Sequence, residues 1–290
     1  MIDIPWYVLV LITAILIAIT NIIKKHVLNH EHALELMAAE SPFRALILVV
    51  LIPFVQIPTG IEWGLILATT TALFFAQLYR NKSYRHLPIS TVAPLMNLSP
   101  IFLLVIAVTF LGEQLSALQL IGILCIMLGG YLLDLQGKNA LGPLKKAAGS
   151  KYTATIILTL IMMSILGALD KYGLQTIGIQ PISYLFWVYL LYVLLVVGVQ
   201  VYRFGAEEIQ EDIRKGGKWL FLAGTLSMTE LLILYHAIAI PEVLITLVVP
   251  LRRTATLIET FVGGKIFGEE RLAQKVFASC VMILGVLFIV

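Results

Sequence analysis

The sequence has little charge. Only 13% of its 290 residues are Asp, Glu, Lys or Arg, against about 25% in soluble domains. Apolar and aromatic residue types make up 60% of the chain, and the mean hydropathy is +0.97. This composition excludes a water-soluble globular domain, and no polar segment is long enough to form a separate catalytic or nucleic-acid-binding domain. It predicts an integral membrane protein without a nucleic-acid partner.

Cysteine is also scarce. Cys125 and Cys280 both lie in apolar runs, which excludes a disulfide framework and a zinc cluster. A short cluster of histidines is interpreted as a solvated loop rather than a metal site, because no matching ligand set is visible elsewhere. The cluster comprises His26, His30, Glu31 and His32. Phosphate-binding loops, nucleophile elbows and zinc-protease motifs are missing from the sequence. We therefore expect no metal, no cofactor and no enzymatic activity.

Apolar runs separated by charged residues, Gly or Pro divide the chain into about ten segments. Each has room for a helix of about 20 residues and a short loop. Helices are expected because open strands leave backbone groups unsatisfied in lipid. Two connections are longer than the rest, from Gln136 to Lys151 and from Phe204 to Lys218. The predicted fold is an all-α integral membrane protein with ten transmembrane helices, over residues 5–25, 34–58, 61–80, 88–111, 115–135, 152–175, 181–203, 217–238, 241–266 and 270–290.

The two halves of the chain resemble each other. The segment GEQLSALQLIGILCIMLGGYLL from Gly112 matches GEERLAQKVFASCVMILGVLFI from Gly268, at an offset of 156 residues. The same offset relates Pro94 to Pro250. We infer a duplication with five helices per repeat, in residues 1–137 and 138–290. Because five is odd, the second repeat enters the membrane from the opposite side. Inverted repeats of this kind form the central sites of secondary transporters.

Basic residues are distributed unevenly between the two sides of the predicted membrane protein. Seventeen of the 20 fall in loops after odd-numbered helices or at the ends of those helices, and Arg44 is counted among them. The opposite side carries both termini and acidic residues such as Glu113. The positive-inside rule therefore predicts cytoplasmic odd loops and external termini. The expected location is the plasma membrane.

Six charged residues fall inside the predicted helices. Each charge costs about 2.5–3.5 kcal/mol at a helix centre, so these side chains are expected to face one another, water or a substrate. For Asp170, beside Lys171 and near a helix end, we favour a structural ion pair. The other charged residues in this layer are Arg252, Arg253, Glu230 and Glu259.

The Arg-Arg pair lies near the middle of the ninth predicted helix. Arg252 and Glu259 are two turns apart, which would place both on one side of a continuous helix, about 10 Å apart. Arg253 would project about 100° away, toward Glu230. Either one of the arginines contacts the substrate or both are structural. With Lys171 they outnumber the two glutamates, which favours an anionic group on the substrate.

Several polar residues are further candidates, either for substrate contact or for interhelical hydrogen bonds. Asn97 lies 156 residues before Arg253, and Gln77 lies on the third helix with Thr70. The predicted substrate-binding residues are thus Lys171, Arg252, Arg253, Glu230, Glu259, Asn97, Gln77 and Tyr235. Glu230 and Glu259 are candidates to carry a proton, with exchange against a counter-substrate as the alternative.

The segment Val92–Leu133 resembles the signature end of an EamA repeat of the drug/metabolite transporter superfamily. Val248–Ile289 resembles a second, weaker copy. The resemblance includes Arg44 and the Gly-Glu turns at Gly112 and Gly268. It implies ten helices in two inverted repeats, around a central cavity lined mostly by helices three, four, eight and nine. The Arg252–Arg253 pair is also similar to a basic pair in the ninth helix of sugar-phosphate translocators.

The predicted function is a secondary transporter that moves a small polar metabolite, an organic anion or a zwitterion, by alternating access. Protons or a counter-substrate would supply the energy, and membrane lipids surround the protein. An exporter of amino acids or drugs and a flippase for lipid-linked substrates stay open as alternatives. The least favoured alternative is an intramembrane enzyme that uses Glu230 and His236, because six residues of helix place them on opposite sides.

Overall fold

The structure is a computed structural model that describes residues 4–27, 33–135, 139, 141–205, 207–260 and 272–290. Within these ranges all regular elements are helical. A 3-10 turn spans Ile52–Phe54, a π-helical turn spans Tyr172–Ile177, and residues 255–260 are helical. The α-helices are α1 Trp6–Val27, α2 Ala33–Leu51, α3 Gly60–His86, α4 Ile89–Met96, α5 Ser99–Phe110, α6 Ala117–Leu133, α7 Gly142–Ala148, α8 Thr153–Lys171, α9 Pro181–Phe204, α10 Glu207–Ile238, α11 Ile245–Arg252 and α12 Leu272–Ile289.

Six helical stretches of the described chain are long and apolar enough to cross a membrane. α6 and residues 274–289 of α12 are apolar but shorter. These helices indicate a multi-pass integral membrane protein. The number of ten spans stays a prediction. The six stretches are Trp6–Ile23, Gly60–His86, Thr91–Phe110, Thr153–Ile177, Pro181–Arg203 and Gly217–Ile238.

Two expected helices are interrupted near their middle. The predicted helix over 88–111 is divided into α4 and α5 by a turn at residues 97–98, and the helix over 241–266 has a turn at residues 253–254. Each turn follows a proline that lies inside a helix, Pro94 or Pro250. Proline lacks a backbone N–H, so it removes one helical hydrogen bond and bends the helix. The prediction of continuous helices was wrong at these two points.

The hydrogen bonds at the two turns correspond to each other. The N–H of Asn97 donates to the carbonyl of Pro94 at 3.2 Å, and the N–H of Arg253 donates to the carbonyl of Pro250 at 2.8 Å. Hydrogen bonds between residues three positions apart, as in a 3-10 helix, tighten the last turn of each helix. The bounds of α4 and α11 coincide after a shift of 156 residues. The two halves therefore share a local backbone arrangement where the helices break.

Some other boundaries differ from the prediction as well. α2 ends at Leu51 rather than near residue 58, since Pro53 and Pro58 follow it. α3 continues to His86, beyond residue 80. The connection expected from Phe204 to Lys218 is mostly helical, because α10 begins at Glu207. Its residues 207–215 are rich in Glu, Lys and Arg, residue types with high helix propensity.

Close packing joins α6 near the end of the first half to α12 near the end of the second. A Cβ added to Gly122 would lie 2.8 Å from the carbonyl oxygen of Gly285, and one added to Gly285 would lie 2.7 Å from that of Gly122. Such distances leave no room for a side chain, so glycine allows the two backbones to touch. The largest buried apolar cluster lies elsewhere and includes Tyr184 and Tyr192 of α9.

Candidate functional site

The two helix breaks are joined by a hydrogen bond. Arg253 Nη2 donates to Ser99 Oγ at 2.8 Å, and Ser99 is the first residue of α5. Ser99 is buried and Arg253 is partly buried. Within the described chain this hydroxyl is the hydrogen-bond partner of the guanidinium, although Arg80, Arg252 and other groups interact with it electrostatically. Arg253 is thus a cation in the membrane region with a neutral hydrogen-bond partner.

Arg252 forms an ion pair with Glu230 of α10. The distance from Arg252 Nη2 to Glu230 Oε1 is 2.6 Å, and the two side chains are 27% and 6% exposed. The prediction that Arg253 meets Glu230 was therefore wrong. α11 ends at Arg252, and Arg253 lies in the following turn, which directs it to Ser99 instead. The structure pairs one arginine with a carboxylate and leaves the other with a hydroxyl.

Glu113 lies at the N-terminus of α11, although the sequence suggested an external loop residue. Its carboxylate accepts hydrogen bonds from Lys171 Nζ at 2.6 Å, Ile245 N at 2.7 Å and Thr246 N at 3.2 Å. The hydroxyl of Thr246 donates to it as well. The Glu113 side chain is 1% exposed and that of Lys171 is 11% exposed. The loop after α5 is therefore fixed to both α8 and α11.

Asp170 of α8 does not pair with Lys171, which corrects the expected ion pair. Its Oδ1 accepts hydrogen bonds from the hydroxyls of Tyr184 at 3.1 Å and Tyr235 at 3.4 Å. Thr69 bonds to the Tyr184 hydroxyl in turn, at 2.8 Å. Lys171 points instead to Glu113 because adjacent residues of a helix project about 100° apart. α3, α8, α9 and α10 thus contribute to one buried polar group.

Gln175 links the segment after α8 to the connection between α10 and α11. It lies in the π-helical turn that follows α8, and its Nε2 is 2.7, 2.8 and 2.9 Å from the carbonyl oxygens of Ile238, Ile240 and Val243. These carbonyls belong to the end of α10 and the connection to α11. The π turn and the C-terminal end of α10 therefore lie together with the start of α11.

Other predicted site residues have partners outside the contacts described so far. Glu259 accepts a hydrogen bond from Asn21 of α1 at 2.8 Å. The turn at residues 253–254 separates it from α11, which ends at Arg252. Asn97 donates to Asp134 at 2.8 Å. Gln77 is partly buried in α3. Lys171, Tyr235, Glu230, Arg252 and Arg253 lie on the elements that meet around α8, α10 and α11.

The alternative enzymatic pair is not brought together. Glu230 bonds to Arg252, whereas His236 Nδ1 lies 2.7 Å from the carbonyl of Leu232 in its own helix. The described part of the chain has no group of three or more His, Cys, Asp or Glu residues that could hold a metal. Residues 30–32 of the histidine cluster lie outside the described residues.

A family model described as the EamA-like transporter family matches residues 4–134. Residues 4–134 form an EamA-like transporter family domain. This family belongs to the drug/metabolite transporter superfamily. The sequence matches no curated protein. A solved structure with the description "Crystal structure of protein" has a similar fold. The similarity covers 98% of this chain and 96% of that chain, with a TM-score of 0.71 and 12% sequence identity. At this identity the similarity shows a shared fold.

The EamA-like domain contributes Ser99 and Glu113 to the site. The charged residues that these two contact, Arg253 and Lys171, follow the domain in sequence. The candidate site is therefore formed by both halves of the chain. Neither contact could be inferred from spacing, because 154 and 58 residues separate the partners.

Sequence reasoning also misplaced Arg44 of the EamA-like domain. It was assigned to a loop or helix end, but it lies inside α2 with a side chain 11% exposed, 2.8 Å from Glu40. The rings of Tyr189 and Tyr192 lie 5.9 and 6.0 Å from its guanidinium carbon. The sequence did contain a signal for this pair, because Glu40 lies four residues before Arg44 and therefore on the same helical face.

Proposed function

We propose that this protein is a secondary transporter that moves a small organic anion or zwitterion by alternating access. The single observation that carries the proposal is the contact between two broken helices at Arg253 and Ser99. Substrate sites of secondary transporters are typically formed by discontinuous helices near the bilayer midplane. The EamA-like domain over residues 4–134 supports transport as the activity.

The proposed architecture is ten helices in two inverted five-helix repeats, residues 1–137 and 138–290. The coincident bounds of α4 and α11 after a shift of 156 residues support this arrangement. α6 and α12 support it too, because their bounds differ by only one residue at the start after the same shift. The charge distribution supports cytoplasmic odd loops in a plasma membrane protein.

The proposed substrate carries an acidic group that binds Arg253. A guanidinium can donate several hydrogen bonds to a carboxylate or phosphate, and Ser99 satisfies only one donor. The structure also alters the charge balance that the sequence suggested. Glu113 neutralises Lys171, and Glu230 neutralises Arg252. A zwitterion therefore fits at least as well as a simple anion.

Exchange against a counter-substrate is the proposed energy source. Glu230, one of the two expected proton carriers, is held by Arg252 in an ion pair. Glu259, the other, accepts a hydrogen bond from Asn21. In both contacts the carboxylate accepts a hydrogen bond. Transport that responds to an imposed pH gradient would support proton coupling instead.

Counterflow in proteoliposomes tests the proposal. The protein is reconstituted with unlabelled amino acids, dicarboxylates, sugar phosphates or neutral and cationic drugs inside, and uptake of the matching labelled compound is measured. We expect trans-stimulated uptake of at least one compound without chemical change, reduced in Arg253→Gln and retained in Lys151→Gln, which removes an exposed charge. Uptake of neutral or cationic drugs alone would contradict the proposed substrate class. Chemical conversion without uptake would contradict transport.

A further inference from the structure

The connection between the two halves of the chain contains a short helix, α7, with a buried and an exposed side. Ala147 of α7 is buried in an apolar cluster with residues of α4, α6 and α8. Leu141, at the start of α7, and Leu144 are 55% and 42% exposed. Lys145 and Lys146 are exposed as well. α7 therefore presents apolar and basic side chains together on the surface of the protein.

Hydrogen bonds hold α7 against the start of α8. The hydroxyl of Thr153 donates to the carbonyl of Ala147 and, at 2.6 Å, to that of Ser150. The N–H of Gly149 donates to the carbonyl of Lys145 at 3.1 Å. α7 is therefore fixed in position relative to the membrane-spanning stretch that begins at Thr153.

α7 lies at the level where three membrane-spanning stretches have an end. The stretch Gly60–His86 ends at this level, and the stretches Thr91–Phe110 and Thr153–Ile177 begin there. The rings of His86 and Tyr152 stack with centroids 4.1 Å apart and planes within 1° of parallel. This contact places the end of α3 beside the start of α8. Tyrosine is enriched at membrane–water boundaries. The position of α7 thus indicates one boundary of the membrane.

The surroundings of α7 at this boundary are positively charged. Arg85 is exposed in the last turn of α3, and Lys151 Nζ lies 5.3 Å from the centre of the Tyr152 ring. The segments 80–88 and 141–152 contain no acidic residue. The ion pairs found within the described residues lie elsewhere. In the described part of the chain, the positive charge near α7 therefore has no bonded counter-charge.

We propose that α7 and the last turn of α3 bind an anionic phospholipid at this boundary of the membrane. Leu141 and Leu144 contact the acyl chains, and Lys145, Lys146 and Arg85 bind the phosphate of the headgroup. Amphipathic helices at membrane surfaces combine apolar and basic side chains in this way. The proposed topology places this connection in the cytoplasm, and the cytoplasmic leaflet is the one that carries anionic lipids. Lipid binding here does not depend on which compound is transported.

Two phospholipids with identical acyl chains test the proposal. The protein in neutral detergent is titrated with dioleoyl-phosphatidylglycerol or with dioleoyl-phosphatidylcholine, and native mass spectrometry gives the dissociation constant of the first lipid bound. Wild-type protein should bind phosphatidylglycerol more tightly than phosphatidylcholine. The double variant Lys145→Gln/Lys146→Gln should weaken binding of phosphatidylglycerol by about 25-fold, or about 5-fold for each charge removed.

Two further variants separate a site at α7 from the general charge of this boundary. Lys145→Arg/Lys146→Arg keeps both charges and should keep the preference for phosphatidylglycerol. Arg203→Gln/Lys218→Gln also removes two exposed basic residues, at the end of one membrane-spanning stretch and the start of the next. Alternation of the spans places these two residues at the same boundary, and this variant should resemble wild type. Size-exclusion chromatography and thermal unfolding establish that each variant is folded.

Crosslinking locates the lipid without any substitution. Wild-type protein is reconstituted in phosphatidylcholine vesicles that contain a small fraction of photoactivatable phosphatidylglycerol. After illumination, the crosslinked peptides are identified by mass spectrometry. The crosslinks are expected in peptides that cover residues 80–88 or 141–152.

Several results would overturn the proposal. Equal affinity of wild-type protein for the two lipids would do so, and so would crosslinks confined to other segments. An equal loss of preference in Arg203→Gln/Lys218→Gln would show attraction by overall charge rather than binding at α7. Displacement of phosphatidylglycerol by inorganic phosphate, but not by sodium chloride of equal ionic strength, would identify a soluble anion as the ligand. Failure of counterflow would refute the proposed transport and leave lipid binding unaffected.

Discussion

Replacement of Glu113 by Gln is expected to destabilise the folded protein strongly. The Glu113 carboxylate accepts hydrogen bonds from Lys171 and from two backbone N–H groups and one hydroxyl at the start of α11. A glutamine amide has one acceptor oxygen, and its NH2 group would face donors. The substitution therefore leaves Lys171 without its counter-charge and part of the α11 N-terminus without an acceptor.

The expected magnitude follows from the burial of the pair. The two side chains are 1% and 11% exposed, so solvent screens them little. Removing one partner of a buried ion pair destabilises proteins by about 3–5 kcal/mol. A change of 1 kcal/mol lowers the midpoint of thermal unfolding by roughly 2–4 °C in larger domains. We expect a decrease of at least about 6 °C.

A double-mutant cycle with Lys171→Met isolates the pair. Thermal unfolding in one detergent is measured for wild type, Glu113→Gln, Lys171→Met and the double variant, with Glu62→Gln as the control. The double variant should be less destabilised than the sum of the single variants, with a coupling energy of about 1–3 kcal/mol. Additive effects, or a Glu113→Gln midpoint equal to that of the control, would refute the ion pair as a source of stability.

Three other predictions concern packing, binding and local order. Gly122→Leu should separate α6 from α12 and cost about 1–3 kcal/mol in thermal unfolding; an unchanged midpoint would contradict the backbone contact. Arg253→Gln should weaken binding in counterflow by about 30-fold or more, and Ser99→Ala, which keeps the cation, should weaken it less. Gln175→Ala should accelerate hydrogen exchange over residues 238–243, because Gln175 binds the carbonyls of Ile238, Ile240 and Val243, while exchange in α6 stays unchanged.

Membrane class and most helical segments could be predicted because long apolar runs have few alternatives in lipid. The helix breaks were harder to predict, since apolar residues lie on both sides of Pro94 and Pro250. Proline is tolerated in transmembrane helices when neighbouring groups satisfy the freed backbone. Its presence therefore marks where a helix can break but not whether it does.

Charged partners could not be predicted, because they depend on contacts between distant segments. Sequence spacing favoured Arg253 as the partner of Glu230, but the break after α11 redirected it to Ser99. Hydropathy placed Glu113 in a loop and gave no sign of its contact with α11. Charged residues inside the predicted helices, such as Arg253 and Glu230, were recognisable as unusual within a membrane protein. Their pairing required the fold.

The two helix breaks have similar backbones but different side chains, and this difference explains why the site is asymmetric. Asn97 is the first residue of the turn between α4 and α5. It donates a hydrogen bond to Asp134, which follows α6, and so links α4 to α6. Arg253 occupies the position 156 residues later and reaches across to the first half at Ser99. Since the prolines preserve the backbone of both turns, a change of one side chain can place a charge on one side only. The charge of Arg253 at the second break therefore has no counterpart at the position of Asn97 in the first.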